Sequence, residues 1–355
     1  MTDALHYPFA LPPAEFQAIE VAPGIRWLRL PLPMALDHVN CYALEDADGW
    51  TLVDTGLSSQ RSRAIWQALL AVPLGGKPVQ RLIVTHHHPD HIGLAGWFQG
   101  QGVELITTRT AWLYARMLTL DEQRLPSPES LLFYQRAGLD AGMRAAKAME
   151  RPFNFRDVVS PMPLGFTRIG EGDVVTVGGR RWLVRLGQGH APDHATLWSL
   201  DDALILGGDQ FLSVISPNIG VYATEPEADP LAEWLAAARR FMVWARNDHL
   251  VLPGHKLPFT GLPFRLAQLV ENHESALRRL AGHLATPRVA TDCFSVLFRR
   301  EIGPSDFGLA LAETVAHLNS LLRRGAVSRW LSPTGAWLWQ AGAGGNDGQG
   351  SEDIA

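Results

Sequence analysis

The run His86-His87-His88-Pro89-Asp90-His91 concentrates histidine and carboxylate side chains at spacings that suit metal ligation. Histidine nitrogen and carboxylate oxygen are the usual donors to zinc and similar ions. His86 and His88, one residue apart, can serve one ion, while the adjacent pair Asp90-His91 can turn toward a second. His87 lies between ligands and is expected to point elsewhere; Pro89 and Gly93 shape the loop. A cluster of this density is not a chance product of thirteen histidines in 355 residues. Three later positions extend it. His190 stands in Gly189-His190-Ala191-Pro192-Asp193-His194, Asp209 follows Leu206-Gly207-Gly208, and His255 follows Pro253-Gly254. A carboxylate at Asp209 could bridge two cations. Each of these alone is weak, because a lone histidine or aspartate at a strand end is more often a cap or a surface residue. After an HxHxDH run, and in this order, they form a set.

The elements that must position these residues are legible in the apolar pattern. Ile25–Leu30, Val39–Leu44, Trp50–Val53 and Arg81–Val84 read as strands, with Ser59–Leu70 and Ile92–Phe98 as helices. Further strands are expected at Asp173–Val177, Trp182–Leu186, Ala195–Ser199, Ala203–Leu206 and Leu250–Leu252. The segment 110–160 has helix-like stretches broken by Pro126, Pro128 and Pro152 and rich in aromatic residues and methionine. It reads either as an insertion or lid covering a site, or as a helical layer on the sheet. After Pro263, Leu266, Leu269, Val270, His273, Leu277, Leu280 and Leu284 recur at helical intervals. Phe307–Arg324 is a second helix, stopped at Gly325, and Ala326–Leu331 with Ala336–Gln340 reads as a hairpin.

These readings divide the chain into a catalytic domain over 1–262, a small winged-helix-like α+β domain over 263–341, and a disordered Gly- and acid-rich tail over 342–355. The charged fraction of 19% beside an apolar fraction of 46% is that of a globular chain. A net charge of −5 offers no global attraction to nucleic acid or anionic membrane. Cys41 and Cys293, distant and in unlike contexts, fit a reduced protein better than a disulfide. With no signal-like N-terminus and no apolar run of about 18 residues, a cytoplasmic location is expected.

The motif set resembles the metallo-β-lactamase fold superfamily over roughly residues 20–258, with Asp54 in the first motif, His86, His88, Asp90 and His91 in the second, and His190, Asp209 and His255 in the third to fifth. That resemblance implies a four-layer αββα sandwich with two divalent metal ions at one edge of its sheets. His86, His88 and His190 would hold one metal, Asp90, His91 and His255 the other, and Asp209 would bridge them. His194 would be a neighbour of the ligands, and Asp54 would orient them. Histidine and carboxylate suit zinc best, with iron or manganese as alternatives.

Two cations in that arrangement would lower the pKa of a bridging water, whose hydroxide attacks an ester, thioester or lactone carbonyl, with Asp90 accepting a proton. Asp209 stands where several β-lactamases of this fold carry a metal-binding cysteine, so the chain looks more like the hydroxyacylglutathione hydrolase and lactonase branch. Its winged-helix-like appendage after the last histidine resembles the lactamase-B-like proteins, some of which act as endoribonucleases. The expected partner is a small acyl substrate, with Tyr222, Asn218, His38 and Asn40 as candidates to touch it. The rival enzymatic reading is phosphodiester or RNA cleavage, with the C-terminal arginines on nucleic acid. Those arginines are interleaved with acids, which disfavours it. A metal-stabilised binding protein without catalysis would show a missing ligand, and none is missing. Trp330, Trp337 and Trp339 are expected in the small domain's core or in a homodimer contact.

Overall fold

The computed structural model describes residues 4–342. The expected disordered tail, apart from Gly342, lies outside the described residues. In chain order the first elements are β1 (Ile19–Ala22), β2 (Ile25–Pro31), β3 (His38–Asp46), β4 (Gly49–Val53), α1 (Gln60–Ala71), β5 (Val79–Ile83), α2 (Pro89–Ile92), α3 (Ala95–Gln99) and β6 (Glu104–Thr107). Then come α4 (Arg109–Leu120), α5 (Pro128–Arg136), α6 (Ala141–Met149), β7 (Thr167–Arg168), β8 (Val174–Val177), β9 (Arg180–Gly187), β10 (His194–Ser199) and β11 (Leu204–Gly208). The remainder is α7 (Pro230–Met242), β12 (Leu250–Pro253), α8 (Leu262–His283), α9 (Phe294–Phe298), α10 (Phe307–Arg323), β13 (Val327–Leu331) and β14 (Trp337–Ala341).

Successive side chains of a strand face opposite ways, so a strand buried on both faces must be apolar at both parities. β2 to β6 obey this rule. Leu28, Leu30, Val39, Cys41, Ala43, Leu52 and Leu82 pack with Ile65, Trp66 and Leu69 of α1 and Phe98 of α3. The alternate residues Ile25, Trp27, Tyr42, Leu44, Val53 and Ile83 pack instead with Trp182, Val184, Leu197, Leu206 and Leu252 of a second sheet. On that sheet Trp198 points the other way and stacks on Phe241 of α7, with Phe211 edge-on to both. Helices, two sheets and a further helix make the αββα sandwich that the motif resemblance implies. A one-residue slip of any inner strand would set differently shaped apolar side chains against each core, so close packing holds the register.

Among the described residues the first sheet runs β1-β2-β3-β4-β5-β6-β7 and the second β12-β11-β10-β9-β8. β4, β5 and β6 are parallel. β9 and β11 are both antiparallel to β10, and β12 is parallel to β11. The C-terminal ends of β9, β11 and β12 therefore leave the second sheet at one edge, as those of β4 and β5 leave the first.

The helix expected over Ile92–Phe98 is broken into α2 and α3. Thr55 is the cause: its hydroxyl donates to the His91 carbonyl at 2.8 Å and accepts from the Leu94 amide at 3.0 Å, diverting both groups from the helical ladder. Gly93, at the break, is held so close to Gly56 that a Cβ would lie 2.4 Å from the Gly56 carbonyl oxygen. β1, β6, β7 and α7 carried no sequence expectation.

The chain divides into two compact units, and not where the sequence reading placed the boundary. One comprises the residues up to Arg124 with Pro152–Pro217 and Trp234–Leu269; the other comprises Leu125–Arg151, Asn218–Glu233 and everything from Val270 onward. The expected 110–160 insertion is thus split, α4 belonging to the sandwich and α5 and α6 to the second unit. The reason lies in contacts distant in sequence. Gln135 and Arg136 of α5 donate to the Thr334 and Gly335 carbonyls in the hairpin turn, and Asn319 of α10 donates to the Pro226 and Ala228 carbonyls. Within this second unit the expected hairpin forms as β13–β14, with Trp339 buried and Trp330 exposed. Both cysteines are free and buried. No helix among the described residues is long and apolar enough to cross a membrane.

Trp182 is wholly buried between the sheets, and its indole donates to the Val177 carbonyl. Trp182→Ala is expected to destabilise the protein by about 3–5 kcal/mol, read as a lowered urea midpoint.

Candidate metal centre

Five strand ends deliver the cluster. β4 runs into Asp54, β5 into Thr85 and His86, β9 into the loop carrying His190, β11 into Asp209 and β12 into His255. The two sheets are tied together there, because the Ala195 amide donates to the Thr85 carbonyl and the Asn40 amide to the Gly254 carbonyl, at 2.8 and 2.7 Å. Asp54 has φ +60°, a left-handed conformation that aspartate tolerates better than most residues. Gly254 is required by space: a Cβ there would lie 2.2 Å from Asp209 Oδ1 and 2.8 Å from His91 Cε1.

All seven expected ligands meet. Donor atoms of His86, His88 and His190 lie within 4.8 Å of one another, as do those of Asp90, His91 and His255, and those of His86, His91 and Asp209. Asp209 sits between the first two groups. Its Oδ2 is 3.4 Å from His190 Nε2 and 3.3 Å from His255 Nε2, and its Oδ1 is 3.3 Å from His91 Nε2. Asp90 Oδ2 is 3.3 Å from His255 Nε2.

The far nitrogen of each imidazole decides what the near one offers. His255 Nδ1 lies 2.7 Å from the His38 carbonyl, which can only accept, so Nδ1 carries the proton and Nε2 a lone pair. His91 Nδ1 donates to Asp54 Oδ2 at 2.7 Å. The Thr85 hydroxyl donates to Asp54 Oδ2, so its oxygen accepts from His86 Nδ1 at 2.9 Å. His86 Nε2 is left buried with no hydrogen-bond partner. Lone pairs therefore face carboxylate oxygens at hydrogen-bond distance with no proton assigned between them. Two acceptors so placed repel unless a cation or an added proton lies between them. The donor set fits divalent metal ions.

Without metal, protons take that place. Burial disfavours charge on His91, but Asp209, Asp90 and Asp54 outweigh it and hold its pKa well above the usual value. Burial likewise opposes His255, yet Asp209 and Asp90 push it up to about 9. Burial alone would raise Asp209, but His255, His91 and His190 hold it well below the ordinary carboxylate range. His86 and His88 are held well below the usual imidazole value, chiefly by burial and then by neighbouring histidines. They stay neutral, the form that ligates.

The expected neighbours have defined tasks. Asp54 accepts from His91 Nδ1, the Thr85 amide and the Thr85 hydroxyl, joining two ligand loops. His194 Nε2 accepts from the Asp209 amide at 3.0 Å, and its ring stacks on His86 at 4.5 Å. Burial lowers His194 to about 3, so it remains the acceptor that Asp209 needs. His87 points away from the ligands, as expected, against Tyr114 and Phe155.

The residues expected to touch substrate are held as follows. Both His38 nitrogens are engaged, Nδ1 with Asp37 at 2.6 Å and Nε2 with the Lys256 amide at 2.9 Å. Asn40 donates to the Pro253 and Lys256 carbonyls and accepts from Arg29. Both residues fasten the His255 loop. Asn218 donates to Glu313, and Tyr222 is half exposed; both belong to the second unit, whereas every ligand belongs to the first. Thr85 was not singled out from sequence, and its position directly before His86 is the only signal it left.

An αββα sandwich gathering histidine and carboxylate donors from the strand ends of both sheets defines a metallo-hydrolase scaffold. The pattern of the metallo-beta-lactamase superfamily matches residues 34–255, and that described as "Metallo-beta-lactamase-like, C-terminal domain" matches residues 277–341. A probable metallo-hydrolase of Bacillus subtilis (strain 168) is 25% identical over 320 residues, covering 85% of this chain and 93% of that protein. The crystal structure of a beta-lactamase domain protein from Burkholderia ambifaria aligns with a TM-score of 0.87 at 36% identity, over 95% of this chain and 98% of its own. A metallo-beta-lactamase family protein from Thermus thermophilus aligns with a TM-score of 0.74 at 27% identity, over 91% of this chain and 100% of its own. The chain belongs to the metallo-beta-lactamase superfamily and is a metallo-hydrolase of it.

Asp54→Asn should leave the ligand set intact but loosen His91 and Thr85. Metal affinity is expected to fall about 10–100-fold, measured by chelator competition. A second expectation concerns pH. A group whose pKa is raised on folding stabilises fully below its unfolded value, 6.5 for histidine, and loses that contribution as pH climbs through about 9 for His255. Metal-free protein should therefore lose stability between those limits. Metal-loaded protein should not, because the ion takes the proton's place; thermal denaturation of both forms across that range checks this.

Proposed function

We propose that the protein hydrolyses a carboxylic ester, thioester or lactone at a pair of divalent cations, with zinc the ion best suited to the donor set. The observation that carries the reading is Asp209, placed between two three-residue donor groups at 3.3–3.4 Å from histidines of each. Bound there, two cations supply Lewis acidity and water of lowered pKa. The chain's own residues do the rest. Asp90 is the more exposed of the two carboxylates in the cluster, 18% against 8% for Asp209, so water reaches it first and it takes the proton that water gives up. Asp54 and the His38 carbonyl keep the Nδ1 protons of His91 and His255 in place, so neither ring can turn during turnover.

α4 supports an acyl substrate. Thr110 donates to Asp193, three residues after His190 in the same loop, and Tyr114 packs on His87. Met117, one turn further along that face, is 46% exposed, with Leu113 and Leu120 exposed beside it. That row gives an apolar chain a surface beside the ligand loops. His38 and Asn40 are best read as positioning residues, since their polar atoms are engaged. The C-terminal arginines give little support to nucleic acid as substrate: Arg278 pairs with Glu271, Arg324 with Glu274, Arg300 with Asp306 and Arg329 with Glu227.

Metal-loaded protein is to be assayed on acyl thioesters, lactones and aryl esters, with bis(p-nitrophenyl) phosphate as the phosphodiester comparator. Turnover of at least one acyl class is expected, abolished by chelation. Asp90→Asn should lower kcat by about 10²–10⁴-fold. Preference for the phosphodiester, or full activity in Asp90→Asn, overturns the proposal.

A further inference from the structure

A residue other than glycine keeps a left-handed backbone only where its surroundings hold it there, and such positions gather at working sites. Among the described residues five non-glycine positions have φ between +52° and +68°. Three of them, Asp54, Asp193 and Lys256, stand in or against the ligand loops. Two of these fasten a ligand. Asp54 accepts from His91 Nδ1, and the Lys256 amide donates to His38, whose carbonyl fixes His255. The third, Asp193 at φ +52°, stands three residues after His190.

Gly187 and His194 pair across β9 and β10, so Gln188–Asp193 is a hairpin loop with Gln188 and Asp193 at its two ends. The Gln188 side-chain amide donates to Asp193 Oδ1 at 2.9 Å, and the Asp193 backbone amide donates back to Gln188 Oε1 at 3.1 Å. This reciprocal pair closes the loop at its base, with His190 between the closed ends. The other carboxylate oxygen, Oδ2, accepts from the Thr110 hydroxyl in the first turn of α4. Aspartate often marks a turn by bonding its own backbone two residues on. Here its oxygens instead reach the far end of the loop and a separate helix. Glycine would take this φ without strain. Aspartate bears the strain and supplies two acceptors that glycine lacks.

We propose, resting on the two-cation reading of the site, that Asp193 is a positioning residue for the cation held by His86, His88 and His190, with Gln188 and Thr110 as its anchors. Closing both ends of the loop and tying it to α4 denies His190 the freedom to withdraw from His86 and His88. Its donor is then in place before an ion arrives. The other donor group is fixed by separate bonds, His91 to Asp54 and His255 to the His38 carbonyl. The two cation positions therefore have independent supports, and loss of the Asp193 side chain weakens only one of them.

The test titrates the full metal-free chain with Zn2+ against a chromophoric chelator, which resolves two successive affinities. Asp193→Gly keeps the left-handed backbone and removes both carboxylate bonds. It is expected to weaken one affinity about 10–100-fold and to leave the other unchanged. Asp193→Asn tolerates the same backbone, can still accept from Gln188 and can donate to the Thr110 oxygen, so it should bind as the parent does. Thr110→Val, at a half-buried position, should weaken the same affinity to a lesser degree, and it carries the test if Asp193→Gly fails to fold. Beside His190→Ala, Asp193→Gly should have no further effect, because its influence passes through that ring. Four outcomes overturn the proposal: parent-like affinities in both Asp193→Gly and Thr110→Val, equal weakening of both affinities, a loss in Asp193→Asn as deep as in Asp193→Gly, or an undiminished effect of Asp193→Gly beside His190→Ala. Should the parent bind a single ion, the two-cation reading fails by itself, and the same comparisons on that ion still decide the role of Asp193.

Discussion

Imidazole lone pairs and carboxylate oxygens are forced together at 3.3–3.4 Å in a place where water scarcely reaches, and positive charge must be added to make that arrangement stable. Much else in the first unit serves this one electrostatic demand. Desolvation makes an unanswered acceptor pair expensive, while a cation between the partners gains from the same low polarity. In the metal-free protein the facing carboxylates raise the pKa of His91 and His255, so that protons can answer the demand, and metal ions bound there would displace them. Asp54, Thr85, His194 and the His38 carbonyl are the means by which the demand is kept in force, because each prevents a ligand from rotating into a more comfortable hydrogen bond.

The sandwich supplies the place. Parallel pairing of β4 with β5 and of β11 with β12, and the common direction of β9 and β11 about β10, bring five strand ends to the edges where the ligands stand. The pairing of these strands sets the residue at which each loop begins, and with it the position of the donor that the loop carries. Gly254 shows how little slack is left, since even a methyl group at that position would collide with Asp209. The second unit follows a different logic. It draws segments from three parts of the chain around α10 and the β13–β14 hairpin.

By itself the sequence determined which histidines and carboxylates are able to serve as ligands and most of the strands that carry them. The HxHxDH run, the Gly-His, Gly-Asp and Gly-His strand ends and the two-sided apolar runs are local features, written in residues that are neighbours in the chain. Tertiary structure alone decided the rest, because it depends on residues that meet only after folding. Thr55 breaks a helix expected as continuous by reaching the backbone of His91 and Leu94 from 36 and 39 residues away. Asn40 and His38 are polar residues at a strand start, and nothing local distinguishes a substrate contact from a clamp on a loop more than 200 residues later. The unit boundary fell inside α8 and inside the 110–160 segment, because Gln135, Arg136 and Asn319 find their partners far along the chain. A spacing can declare which atoms are able to hold a metal; only the packed chain decides which nitrogen of each ring is left to do so.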